Sequence, residues 1–165
     1  PCPMAGAGRA AATAAAEHFT ATMAHNFLSQ TALIERLHPQ MRALLLWHAA
    51  EEIEHKAVAF DVLGAVDGRY ELRVAGLCLA SLLLGGFWAA GTVSVLVRES
   101  RTLGWKRIWQ EAKTLGQWRK QTGRKGIARE VFATGIKEYL ARDFHPNQTD
   151  DYPLAQAYLS SVGLA

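Results

Sequence analysis

Trp47-His48-Ala49-Ala50-Glu51-Glu52-Ile53-Glu54-His55-Lys56 is the densest run of chemically useful side chains in this sequence of 165 residues. At about 100° per residue of an α-helix, His48, Glu51, Glu52 and His55 fall within roughly a third of one circumference, while Glu54 points away. Four groups able to ligate a metal therefore share a face. Leu44, Leu45, Ala59 and Val62 on that side are apolar or small, so the face is expected to look into a core. Burying ionisable groups is costly unless something neutralises them, and a divalent cation neutralises carboxylates directly. The competing reading is a solvated helix with Lys56 and Arg42 as salt-bridge partners.

Glu52-x-x-His55 is the spacing by which one helix offers a carboxylate and an imidazole to the same ion, as in di-iron and di-manganese carboxylate bundles. Such bundles also take a lone Glu from a neighbouring helix. Glu17, set among Ala14, Ala15, Ala16, Phe19 and Ala21, is the candidate. His48 completes the expected ligand set of Glu17, Glu52, His55 and His48. His18 and His25 are seven apart and read either as donors behind the ligands or as core histidines, and His38 beside Pro39 reads as structural. Glu111, Glu130 and Glu138 have no His three residues on, so a second Glu-x-x-His is missing and the sequence offers half of a dinuclear site. Oxygen-rich ligation with one His suits iron first, with manganese or zinc as alternatives.

Outward from this motif the pattern is all-α. An Ala-rich helix is expected from Arg9 to about Ser29. A second opens at Pro39, a residue favoured in the first turn, and should run to about Leu63, with Gly64 and Asp67-Gly68 as breakers. Val74 to Val97 contains no charge, long enough to cross a bilayer, although Gly76, Gly85, Gly86 and Gly91 also suit close packing in a buried helix. Helices are expected over Leu103–Gln121, Gly126–Arg142 and Pro153–Ser161, with Phe144-His145-Pro146 breaking the chain before the last. The expected organisation is one helical domain: a metal-ligand helix pair at 10–66, the apolar helix at 70–100, and basic helices with the C-terminal turn at 101–165.

Half the residues are apolar and 20% are charged, with a net charge of +3, which excludes a disordered or collagen-like chain. With Cys2 and Cys78 as the only cysteines, neither a disulfide framework nor a cysteine zinc cluster is available, and a reducing compartment fits. The Ala/Gly-rich start has no secretory signal and no initiating Met, as expected of a fragment. Residues 98–129 hold ten Lys/Arg against two Asp/Glu. Trp105, Trp109 and Trp118 are interleaved with them, the composition of a membrane-interface segment. No nucleic-acid-binding motif accompanies this block, so nucleic acid is not expected as a partner.

Glu17-His18-Phe19-Thr20-Ala21, the run from Leu46 through Trp47-His48-Ala49-Ala50-Glu51-Glu52-Ile53-Glu54-His55-Lys56 to Val62, then Tyr139-Leu140 and Phe144-His145-Pro146, resemble the bacterial predicted metal-dependent hydrolases of the ferritin-like class. The resemblance extends from about residue 10 onward. It implies a ferritin-like, di-iron-type bundle in which Glu17, Glu52 and His55 match ligand positions. The family's upstream helix pair has no counterpart in this sequence, which reads as an N-terminally truncated member.

Three functions follow as expectations. The first is hydrolysis of a small molecule, with Glu51 as general base and His145 as outer proton donor. The second is a di-iron oxidase or oxygenase acting on an apolar or lipid-like substrate. The third is a non-catalytic, membrane-associated helical protein. A homodimer pairing two half-sites, and a cytoplasmic or inner-membrane-associated location, are consistent with all of these. A true span by Val74–Val97 would put His145 across the membrane from Glu52 and His55.

Overall fold

The computed structural model describes residues 3–29, 34–35, 37–123 and 128–163, and all regular structure among them is helical. The elements are α1 (Pro3–Leu28), α2 (Pro39–His55), α3 (Val58–Asp67), α4 (Tyr70–Leu103), α5 (Trp105–Thr122), a π-helical stretch (Ala128–Ala133), α6 (Thr134–Tyr139), a 3-10 turn (Pro146–Gln148) and α7 (Tyr152–Ser161). Helix α1 is the axis, packing against α2, α3 and α4 and touching the elements that follow α5.

Its alanines explain why. Ala7, Ala11, Ala14, Ala15, Ala21 and Ala24 are all buried, and side chains this small let neighbouring backbones approach. The closest approach is at Gly76 of α4, where a Cβ would overlap the Ala11 backbone. Leucine-sized residues could not replace these alanines without overpacking. Around α1 the apolar side chains form three groups: Phe19, Leu77, Val131, Tyr139 and Phe144 on one side, Ala49, Ala50, Ile53, Ala155 and Leu159 on another, and Leu63 with Ala11 and Ala14 toward one end.

The helix expected to continue to Leu63 is interrupted after His55. Lys56 and Ala57 stand between α2 and α3, and the break turns Phe60 toward Tyr139, Phe144 and His145. Gly64 lies inside α3 and does not end it. Leu44 and Val62, expected beside the acid and histidine face in a core, are exposed; the buried stripe of α2 is Ala49, Ala50 and Ile53. Leu103 closes α4 rather than opening the next helix, because Gly104 adopts φ 75° and turns the chain. Of the helix expected over Gly126–Arg142, residues 126 and 127 lie outside the described residues, as do Arg124, Lys125 and Cys2. The rest divides into a π-helical stretch, with the Thr134 hydroxyl donating to the Arg129 carbonyl five residues back, and the short α6.

Helix α4 has two halves. Arg73, Gly76, Leu77 and Ala80 are buried against the body, whereas Leu82, Leu83, Phe87, Val93 and Val95 are each more than half exposed. It is long and apolar enough to cross a membrane, yet only 17% of its most apolar stretch is buried.

Candidate metal centre

Helices α1 and α2 run side by side and bring Glu17, Glu52 and His55 together. One ligand atom from each lies within 4.8 Å of the others. His55 Nδ1 stands 3.0 Å from Glu17 Oε2, and the Thr20 hydroxyl donates to Glu52 Oε2 at 2.6 Å. Thr20 lies one turn after Glu17, on the same face of α1, and fixes the orientation of a carboxylate supplied by another helix. The group is half-buried, Glu52 the most enclosed at 14% side-chain exposure. Among the described residues, the basic groups within 4 Å of these two carboxylates are imidazoles, His55 on Glu17 and His48 on Glu52. Two carboxylates thus lie together with no ammonium or guanidinium beside them among the described residues, a donor set that fits a divalent cation.

His48 and Glu51 border this group. His48 Nε2 is 3.4 Å from Glu52 Oε1 and its Nδ1 is 3.4 Å from Glu51 Oε2. Both side chains are more exposed than Glu52, because they lie on the solvent side of the buried stripe.

His145 is placed elsewhere. Its Nδ1 accepts from the Asn147 N–H, which puts the ring proton on Nε2, and Nε2 stands 2.9 Å from Asp61 Oδ1. The turn that carries it is anchored by Phe144, packed edge-on to the His18 ring in the core. Asp61 could not have been paired with His145 from sequence, since 84 residues separate them.

The residues adjacent in sequence to two of the ligands point to the other side of α1. His18 is buried, with Nε2 2.9 Å from the Gly135 carbonyl; burial pushes its pKa down, against the pull of that carbonyl. It is a core histidine. Lys56 is buried and donates to Asp151 and to the Thr149 carbonyl, which removes it as a surface salt-bridge partner of the acidic face. His25 Nδ1 lies 3.5 Å from Asp151 Oδ2. Burial alone would raise the Asp151 carboxyl, but His25 and Lys56 outweigh it and hold the pKa below the ordinary 3.8. These residues, with Glu138 and Phe144, line a cavity of about 500 Å³. Tyr139, under the same core, is raised to about 12 by burial.

A family described as predicted metal-dependent hydrolases matches residues 5–150. The chain belongs to this family. Among curated proteins and among solved structures, nothing matches it. The family match takes in Glu17, Thr20, His48, Glu51, Glu52, His55 and His145 and stops one residue short of Asp151. For a family defined by metal dependence, Glu17, Glu52 and His55 form, among the described residues, a group that could hold a divalent metal.

Proposed function

We propose that the chain is a metal-dependent hydrolase of a small-molecule substrate, with its divalent ion held by Glu17, Glu52 and His55. The observation that carries the reading is the convergence of three ligand atoms from two helices on a spot with two carboxylates that, among the described residues, no lysine or arginine pairs. Iron is the metal favoured by this donor set, ahead of manganese or zinc. Such an ion, when bound, supplies Lewis-acid polarisation and makes a water acidic enough to react near neutral pH.

The chain's own residues do the rest. Thr20 holds Glu52 in one orientation, and His48, facing the other oxygen of Glu52, steadies it from the solvent side. Glu51 lies on the same helix face and takes the proton of the attacking water as general base. His145 enters as proton donor to the leaving group once the turn releases it from Asp61 and Asn147. If His145 acts so, D61N, which loosens that tie, keeps or raises turnover while H145Q lowers it; equal turnover in H145Q and the wild type removes His145 from the reaction.

Three ligands from one chain fill the needs of one ion. A dinuclear centre of ferritin-like type would need a second set, and two copies pairing their Glu17 and Glu52-x-x-His55 halves about a two-fold axis would supply it. Elemental mass spectrometry on the purified chain and on E52A/H55A tests the site: near-stoichiometric metal in the first and none in the second is expected. E51Q should then retain metal and lose ester hydrolysis. Metal loss in E51Q would make Glu51 a ligand, and oxygen uptake in place of hydrolysis would move the chain to the oxidase reading.

A further inference from the structure

The outer half of α4 and the whole of α5 form a hairpin that leaves the body and returns to it. Ser81 to Leu103 runs outward about 35 Å at 1.5 Å per residue, Gly104 turns the chain, and α5 comes back over 18 residues. At the far end of α5, Gly123 lines the cavity beside His18 and His25 of α1. The next described residues include Val131 and Phe132, which pack on Phe19, with Phe132 also meeting Trp88. Both ends of the hairpin are therefore fastened to the same body. Among the described residues, helix α5 packs chiefly against α4, and most of its side chains are exposed.

The two arms carry complementary halves of one chemistry. The outward arm presents Leu82, Leu83, Phe87, Val93 and Val95 to solvent. On the return arm Trp105, Ile108, Trp109, Ala112 and Leu115 fall within about a third of the circumference. Lys106, Lys113 and Lys120, spaced by seven, line one border of that stripe. Lys113 lies 5.9 Å over the Trp109 ring, and Trp105 and Trp109 are each more than 60% exposed. From Arg98 to Lys120 the hairpin has seven Lys/Arg and two Asp/Glu.

We infer that this hairpin docks in the plane of an anionic lipid bilayer, the apolar stripe of α5 and exposed apolar side chains of α4 sunk to the acyl boundary and its lysines and arginines on the lipid phosphates. An apolar face with aromatic residues, edged by cations, is the composition that binds at such an interface. A second copy of this chain is disfavoured as the occupant, since it would bring the same excess of positive charge. Spanning is excluded by the hairpin itself. If α4 crossed, α5 would have to cross back to reach the body, carrying Lys106, Arg107, Lys113, Arg119 and Lys120 through hydrocarbon. In-plane docking keeps His145, Glu52 and His55 on one side of the membrane.

Flotation of the full chain with phosphatidylcholine vesicles, with and without phosphatidylglycerol, tests this. Binding is expected to the phosphatidylglycerol vesicles, weakening as salt rises. K106Q/K113Q/K120Q should bind about a hundredfold more weakly, roughly fivefold per cation removed. W105S/W109S should also bind more weakly, and helical content by circular dichroism should be unchanged in both variants because these side chains are exposed. Bound protein should be released by a high-salt wash. Binding that ignores charge, or survives that wash, would replace docking by insertion and overturn the proposal. Absence of vesicle binding would overturn it too, whether the face proves to pair two chains, seen as a dimer that W105S/W109S dissociates, or to hold nucleic acid, seen as a band shift.

Discussion

Two polar clusters draw on residues adjacent in sequence, at Glu17-His18 in α1 and at His55-Lys56 where α2 ends. Glu17 and His55 belong to one, and His18 and Lys56, each one residue further on, face the other side of α1. In the second cluster the chain supplies its own counter-charge: the Lys56 ammonium meets the Asp151 carboxylate with side-chain exposures of 7% and 3%. In the first, two carboxylates meet two imidazoles and, among the described residues, no lysine or arginine, and the group stays half-buried. The difference separates a structural ion pair from a group whose carboxylates could take a charge from outside. Burial with a protein partner fixes geometry, whereas open, uncompensated carboxylates keep a coordination shell available.

The sharpest way to break this contrast is D151N. It leaves a buried ammonium without its counter-ion, and the expected loss is about 3–5 kcal/mol, read by chemical denaturation. K56M/D151L, which removes both charges, should recover most of that loss. E17Q and E52Q, by contrast, relieve repulsion and should leave the metal-free protein as stable as before or more so. A D151N loss below about 1 kcal/mol would place Lys56 in water and dissolve the distinction.

Acid gives the same comparison without mutation. The folded Asp151 pKa lies below its ordinary value, so its contribution is complete above the unfolded value of about 4 and drains as pH falls through the folded one. His18, with a folded pKa below the ordinary 6.5, acts in the same direction from a higher pH: its contribution is whole above the unfolded value and lost as pH falls toward the folded one. Stability should therefore decline in two steps on acidification. The lower step should vanish in D151N.

Metal addition tests the open cluster. A divalent ion that binds only the folded chain should stabilise it by about 2.7 kcal/mol at a hundredfold excess over its Kd. E52A/H55A should abolish the gain, and D151N should keep it. T20V removes the hydrogen bond that sets Glu52 and should weaken metal binding about tenfold, the low end for partners that orient a ligand. An unchanged affinity in T20V would mean that Glu52 is positioned by its helix alone.

How much of this could be read in the sequence follows from distance along the chain. Glu52-x-x-His55 is one turn of helix, so its shared face is legible from spacing, and Glu17 stands out because an alanine run leaves no other acid near it. The break after His55 was not legible, because Lys56 is directed by Asp151, 95 residues away. With α2 turned on its buried stripe of Ala49, Ala50 and Ile53, the burial expected for Leu44 and the exposure read for Lys56 changed places. His145 could be picked out as a histidine in a turn, but its tie to Asp61 is equally remote. The apolar run Val74–Val97 was legible as composition, while its division into a packed start and an exposed outer half depends on where Ala11 meets Gly76.

The finest test concerns the border between cluster and solvent, and His48 occupies it. Its ring reaches Glu52 Oε1 and Glu51 Oε2 at 3.4 Å each and is 55% exposed. Exposed pairs of this kind are worth little, so H48A should change metal-free stability by less than about 0.5 kcal/mol. If His48 steadies Glu52 from outside, metal affinity should fall by no more than about tenfold, and H48Q, which keeps a donor, should restore most of it. If His48 swings in as a fourth ligand, H48A should cost well over a hundredfold and H48Q should not rescue it, because an amide is a poor substitute for imidazole at iron or zinc. A titration of the two variants against one metal distinguishes these, and it fixes whether the open cluster ends at three side chains or recruits a fourth from the solvent-facing side of α2.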